Sequence, residues 1–334
     1  MHESVCREAH LTWTVPDGED EAAVPVCAAT LRPRSTYFPD LPLDDREGEA
    51  LPSTLPPVVD AHVHLFPDRM FEAIWRWFDE HGWPIRYKLR TPEVIAHLLD
   101  RGVSHIVALH YSHKPGVARG LNSYMAQIVA QEPRVTGLAT VYPGEVDARA
   151  IVEEAFAMGL RGVKLHCHVQ AFAPDIEAMA PVYEACVDAG LPLVMHAGRE
   201  PSSPAYPVDP HSLCSAERVE AVLRSYPRLR LCVPHLGADE FAPYARLLEQ
   251  HDNLWLDTTM AGADYFDMPF PMAALSARPD RVMYGTDFPN IPYAWDREVT
   301  QLAKRCRDED LEALLGGTAR AFFGLDQTPP VTPS

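Results

Sequence analysis

The chain has 334 residues, with 29 Lys and Arg against 47 Asp and Glu, a formal charge of −18 at neutral pH. Such an acidic balance excludes a general nucleic-acid binder, because a phosphate backbone needs clustered positive charge, and it disfavours docking on anionic lipid. The composition is otherwise that of a globular chain with a sizeable core, but it holds 15 His, only 4 Lys and 32 Pro.

In chain order, residues 1–57 come first. They are rich in Pro and acidic residues and lack a sustained helical period. Leu11-Thr12-Trp13-Thr14-Val15 alternates like a short strand and is expected to pair with Val24-Pro25-Val26-Cys27 across Asp17-Gly18-Glu19-Asp20. This segment reads as an extension packing on the main domain, with a disordered arm as the alternative. No basic stretch followed by an apolar run opens the chain, so no secretory signal is expected. No segment reaches the roughly 20 apolar residues that span a bilayer. Seven scattered cysteines without CxxC spacing point to reduced thiols in a cytosolic protein.

From Val58 a rhythm begins. Short apolar, β-branched runs end near His64, His110, Tyr142, His166, His196, His235, Thr258 and Asp287. Near-continuous apolar runs of this length suit strands of a parallel sheet buried on both faces. The segments between them read as helices, notably 151–158 before Gly159, 176–189 before Gly190, 216–225 and 241–250. Eight strand–helix units predict an α/β fold, a closed (β/α)8 TIM barrel over residues 58–325, with a C-terminal tail at 326–334. An open doubly wound sheet is the weaker alternative, since no Gly-rich phosphate loop follows the first strand.

In a barrel of this kind, functional groups gather at the C-terminal ends of the strands. The first strand ends in His62 and His64, which share a face. The fourth carries Lys164, His166 and His168, the fifth His196, the sixth His235 and the eighth Asp287. One histidine at a strand end is usually a satisfied core residue. Four such strands and a carboxylate converging on one mouth form a divalent-metal set, for zinc in particular.

The stretches Asp60-Ala61-His62-Val63-His64, Gly162-Val163-Lys164-Leu165-His166, Met195-His196-Ala197-Gly198, Pro234-His235-Leu236-Gly237 and Tyr284-Gly285-Thr286-Asp287-Phe288-Pro289 resemble, in this order, the motifs of the amidohydrolase superfamily. The detailed likeness is to its amidohydrolase-2 branch, which includes aminocarboxymuconate-semialdehyde decarboxylase. Gly316 to Leu325 resembles the terminal helix of that branch, with Thr318 where Asn is more usual. The resemblance implies that His62, His64, His196 and Asp287 ligate one divalent metal ion, zinc first and manganese second. It gives His235, together with Asp287, the acid–base role, and it implies a homodimer.

The implied activity is a metal-dependent hydrolase whose activated water attacks an amide, lactone or ester carbonyl of a small-molecule substrate. Non-oxidative decarboxylation of an unsaturated or aromatic acid is the alternative, and a non-catalytic ligand-binding barrel is the third reading. Lys164, His166 and Arg199 are the candidate substrate-binding residues. For Lys164 the other readings are a carbamate bridging two metals, as in binuclear members of the superfamily, or an amine reaching the barrel rim. The Pro-rich loop 199–215 is expected to shape the pocket, with Tyr265, Phe266, Phe270 and Trp295 as wall candidates. His211 and Cys214 are further ligand candidates within that loop.

Overall fold

The computed structural model describes residues 45–266 and 272–325, plus two two-residue strands upstream, Ala9–His10 and Pro25–Val26, which pair antiparallel. The expected strand at Leu11–Val15 lies outside the described residues.

Eight strands follow in chain order. They are β1 (Val59–His64), β2 (His105–Leu109), β3 (Val135–Gly137), β4 (Val163–His166), β5 (Leu193–His196), β6 (Leu231–Val233), β7 (Leu254–Asp257) and β8 (Val282–Met283). β1, β2 and β3 form one parallel run and β4 to β8 another. Two parallel bridges, Ala139 with Val163 and Val63 with Phe288, join the runs at both edges. The ring is therefore closed, as the eight-fold rhythm predicts, and no sheet edge is left open. The apolar runs of β2, β3, β6, β7 and β8 continue past the last strand residue into the barrel mouth, whereas β1, β4 and β5 end with their runs at His64, His166 and His196.

The helices between the strands form the outer layer. They include α1 (Asp68–His81), α2 (Thr91–Asp100), α3 (Ala118–Gln131), α4 (Ala148–Ala157), α5 (Ala180–Ala189), α6 (Ala216–Ser225) and α7 (Phe241–Gln250). Each turns one apolar stripe to the strands: on α6, Val219, Val222 and Leu223 are buried while Arg224 stays in solvent. Its start is capped by the Ser215 hydroxyl, which accepts from the backbone N–H of Arg218. α5 ends at Gly190 in the left-handed region, φ 64°, where glycine costs least.

Val59, Val107, Leu138, Val194, Cys232 and Met283 form one buried cluster with Phe322 and Phe323 of the terminal helix. Side chains from five strands, and from Leu138 just past β3, can meet around a ring only inside it, so this cluster is the barrel filling. It is the apolar floor beneath the polar strand ends. β1 has a register shift between Asp60 and Val63 that adjusts its pairing below the two histidines.

Residues 45–57 lie along the barrel. The Asp45 carboxylate accepts from Arg86 at 2.8 Å and from Arg297 at 3.2 Å. The Trp295 indole donates to Gly48 O at 3.0 Å, and Leu51 N–H donates to Arg101 O at 2.8 Å. No helix among the described residues is long and apolar enough to cross a membrane.

Candidate metal centre and cavity

The strand-end residues open into a cavity of about 350 Å³ at the barrel mouth. His62, His64, Lys164, His166, His196, His235 and Asp287 all line it. Apart from His166, they are buried to 8 % exposure or less.

Three of the expected ligands meet directly. Asp287 Oδ1 lies 3.0 Å from His64 Nε2 and 3.3 Å from His62 Nε2. One donor atom from each of the three residues lies within 4.8 Å of the other two. Asp287 is placed there by strand closure: its backbone N–H donates to His62 O at 2.9 Å, which ties the eighth strand end to the first. Its φ of 70° puts it in the left-handed region, as does the 58° of His235. Non-glycine residues held in that region store strain, and such strain clusters at functional sites.

His62 Nδ1 donates to Asp257 Oδ2 at 2.9 Å, which leaves Nε2 as the acceptor nitrogen facing the cavity. Asp257, at the end of β7, also accepts from the backbone N–H of His235 at 3.1 Å. His235 Nδ1 donates to Thr259 O at 2.8 Å, so its Nε2 is likewise left as an acceptor. The loop carrying Thr259 is held by the buried Glu298 carboxyl, which accepts from the N–H groups of Met260 at 2.7 Å and Gly262 at 3.2 Å.

Burial lowers the pKa values of His62, His196, His166 and His235 below the usual imidazole range. Burial pushes the Asp287 carboxyl upward, but the neighbouring imidazoles of His64, His62 and His235 together hold it below the usual carboxylate range. Neutral imidazoles and an ionised carboxylate are the protonation states that metal ligation needs. The buried His196 Nε2, facing the same cavity, has no protein partner. An orphaned polar atom is costly in a folded interior. The donor set therefore fits a divalent cation.

His196 stands apart from the triad of His62, His64 and Asp287. β4 and β5 pair His166 with His196 in register. Their rings stack at 4.1 Å, and His196 reaches His235 at 4.6 Å between centroids. Lys164 is fully buried, with Nζ donating to His62 Nε2 at 3.4 Å. Its amine thus lies at the metal-facing floor and does not reach the rim. Arg199 is not brought to the cavity. Its guanidinium pairs with Asp239 at 2.8 Å and Glu240 at 3.5 Å, an ion pair with neighbours of the next strand's loop. His211 pairs with Glu200 at 3.1 Å.

The cavity wall differs from expectation. Tyr265 and Trp295 pack away from the opening, against Tyr293 and under Gly48 respectively, and Phe270 lies outside the described residues. The aromatic wall comes from Trp77 and Phe78 of α1, Trp83, Tyr111 and Tyr206. Tyr206 belongs to the loop 199–215, and its ring meets Trp77 at 5.2 Å across the opening. Sequence reasoning missed this wall because Trp77 and Phe78 sit on a helix whose apolar pattern reads as core. It also gave Asp257 no role, although an acid closing an apolar strand was the available signal.

The family model for amidohydrolases matches residues 59–325. The chain belongs to the amidohydrolase family. Among curated proteins, a dihydroorotase of Chelativorans sp. (strain BNC1) is 29 % identical over 205 residues, which are 59 % of this chain and 54 % of that protein. The chain thus spans about half the length of that curated relative. Among solved structures, 5-carboxyvanillate decarboxylase LigW from Sphingomonas paucimobilis superposes with a TM-score of 0.59 at 18 % identity, covering 81 % of this chain and 99 % of that one. A dihydroxybenzoic acid decarboxylase from Polaromonas sp. JS666, with bound manganese and the inhibitor 2-nitroresorcinol, gives 0.60 at 13 % identity, covering 84 % and 100 %. At these identities the likeness is one of fold: the barrel of this amidohydrolase is shared nearly end to end with both.

Proposed function

We propose that this amidohydrolase is a metal-dependent hydrolase of small molecules, acting on an amide, lactone or ester carbonyl. The observation that carries this reading is the convergence of His62 Nε2, His64 Nε2 and Asp287 Oδ1 in a buried cavity. These three, with His196 across the floor, would hold one divalent cation, zinc first and manganese second. Such an ion supplies a water whose pKa falls to about 7 and polarises a carbonyl oxygen.

The protein groups do the rest. His235 is kept by Thr259 O in the tautomer whose Nε2 accepts a proton, and its burial-lowered pKa keeps it unprotonated at neutral pH. It takes the proton from the attacking water and returns it to the leaving group. Asp287 shares that proton. The Lys164 ammonium and His166 bind substrate at the floor, while the aromatic wall excludes solvent. A carboxylate on the substrate suits Lys164. The same feature supports a second reading, decarboxylation of an aromatic or unsaturated acid, which agrees with the names of the two superposed decarboxylases. There the C–C bond to the carboxylate breaks, CO2 leaves, and the ring or vinyl carbon takes a proton that His235 Nε2 has first taken up from water.

Residues 58–325 would be the catalytic unit, 1–57 an extension and 326–334 a tail. A cytosolic setting accords with the five free cysteines among the described residues. A homodimer is part of the proposal and is checked by sedimentation.

The deciding experiment assays the metal-loaded protein against lactones, amides, esters and aromatic acids, following ring opening or amine release beside CO2 release. Opening or amine release is the expected outcome; CO2 alone selects the second reading. Protein that purifies metal-free and takes up neither zinc nor manganese overturns both, and so does full activity after joint His62→Ala and His64→Ala substitution.

A further inference from the structure

Two tyrosines of the cavity wall carry hydroxyls that the protein leaves unbonded. Tyr111 and Tyr206 both line the cavity. Neither hydroxyl has a hydrogen-bond partner among the described residues, and neither is sealed into the core, so both open onto the cavity. Other deep tyrosines of the chain behave differently. Tyr183 donates to Pro174 O at 2.6 Å and Tyr244 to Ala197 O at 3.4 Å. A buried phenol usually finds an acceptor, so these two hydroxyls are available to whatever the cavity takes in.

Local structure holds both rings in place. Tyr111 follows β2, with its ring centroid 5.2 Å from Phe66, 5.8 Å from His64 and 5.2 Å from His166. The next residue is pinned: Ser112 N–H donates to Thr140 Oγ1 at 3.0 Å, and Ser112 O accepts from Gln170 Nε2 at 2.9 Å. Tyr206 comes from the loop 199–215, where its N–H donates to Ser203 O at 3.1 Å. Its ring meets His168 at 5.2 Å as well as Trp77. Burial pushes both phenols above their ordinary value of 10.0, helped at Tyr111 by Tyr206 and Asp287 and at Tyr206 by Asp287 and Glu200. Both therefore stay neutral O–H donors, and the shared influence of Asp287 puts the two hydroxyls on the reacting side of the cavity.

We propose that Tyr111 and Tyr206 form an oxyanion pair, whose hydroxyls donate to the carbonyl oxygen of the attacked amide, lactone or ester as negative charge develops on it. This inference rests on the hydrolase reading and adds to it the residues that receive the substrate oxygen. Preorganised donors aimed at developing charge supply a large part of catalysis in acyl transfer. His235 handles the proton, and the tyrosines hold the oxygen. Two neutral donors suit that task, because they stabilise a developing charge without gripping a product carboxylate as a cation would. One donor stands on the barrel and the other on the loop above it, so the pair is complete only with that loop seated over the cavity.

The test uses the zinc-loaded full chain with two probes, para-nitrophenyl acetate for turnover and para-nitrophenolate for binding, the second read by its absorption band. Tyr111→Phe and Tyr206→Phe keep each ring and remove only the oxygen. Each should lower kcat on the ester by about 100-fold with KM little changed. Each should also weaken para-nitrophenolate binding by about tenfold. Tyr265→Phe, whose hydroxyl is buried against Tyr293 away from the cavity, should change neither. Zinc content and melting temperature show that a variant is folded, and if one Phe variant is not, the other decides. Natural kcat and natural phenolate affinity in the Phe variants overturn the proposal, and so does a rise in KM alone, which marks uniform binding. Ester turnover that depends on neither tyrosine leaves the hydrolase reading standing while this one fails. Phenolate binding that depends on both, in a protein that opens no ester or lactone, overturns the hydrolase reading and keeps the pair as an oxyanion site. A natural protein that neither turns over the ester nor binds the phenolate overturns both.

Discussion

His62 and Asp257 form a buried dyad: Nδ1 meets Oδ2 at 2.9 Å, and each side chain is 1 % exposed. The two residues lie 195 positions apart, on β1 and β7. The carboxylate fixes the imidazole tautomer and aims its other nitrogen at the cavity. Removing such an outer partner of a metal ligand typically costs about 10–100-fold in affinity. Asp257→Asn is therefore expected to weaken zinc binding by about that factor while the fold persists, as read by competition with a chelator of known affinity. Unchanged affinity would show that the dyad is only a packing feature.

Gly285 stands directly behind the same histidine. A Cβ there would come within 2.7 Å of His62 Cβ and 2.5 Å of Thr259 Oγ1. The His62 Cβ cannot yield without moving the end of β1. Gly285→Ala should cost about 1–3 kcal/mol through overpacking and should displace His62 from Asp287. Thermal unfolding together with metal content per chain checks this. A fully loaded, equally stable variant would refute it.

Burial depresses the Lys164 amine to about 8. The unfolded chain has the ordinary value of 10.5, so between these limits it binds more protons than the folded one. Stability of the metal-free protein should accordingly rise with pH through that window, and below it the fold bears the cost of a buried cation. The gain is at most about 3 kcal/mol. Lys164→Met should abolish the slope, as followed by urea unfolding between about pH 7.5 and 10.5. A slope that survives the substitution assigns the effect to another group.

Chelation tests the centre as a whole. A ligand that binds only the folded state at a hundred times its Kd adds about 2.7 kcal/mol of stability. Chelator treatment should thus lower the melting temperature of the natural sequence by several degrees. His64→Ala should melt low, and its chelator-induced shift should vanish. Equal shifts in both proteins would mean that His64 holds no ion.

Much of the fold and of the site is legible in the sequence. The eight apolar runs were legible because strands buried on both faces need continuous β-branched sequence, and their spacing left room for one helix each. His62, His64 and Asp287 were legible because a strand end is the one place where an apolar run turns polar. The grouping of His196 with His166 and His168 was not, since it depends on the β4–β5 register that sets the two rings side by side. Arg199 misled for a related reason. Three residues past a strand end it can point to the mouth or to the next loop, and two carboxylates in that loop, Asp239 and Glu240, outcompete the cavity for it. The aromatic wall stayed hidden because a tryptophan that lines a cavity and one that fills a core leave the same periodicity.

The closure of the ring has a mechanical side. β8 meets β1 through few backbone bonds, Ala61 N–H to Tyr284 O at 3.0 Å, His64 N–H to Phe288 O at 2.8 Å and Asp287 N–H to His62 O. His64 and Asp287 face each other across that seam from positions 223 residues apart in the chain. A cation seated between them would act as a clasp on a hoop, fastening the first and last staves beside these three backbone bonds. Chemistry and barrel integrity would then share one fastening, and a cell short of metal would loosen the vessel along with the reaction.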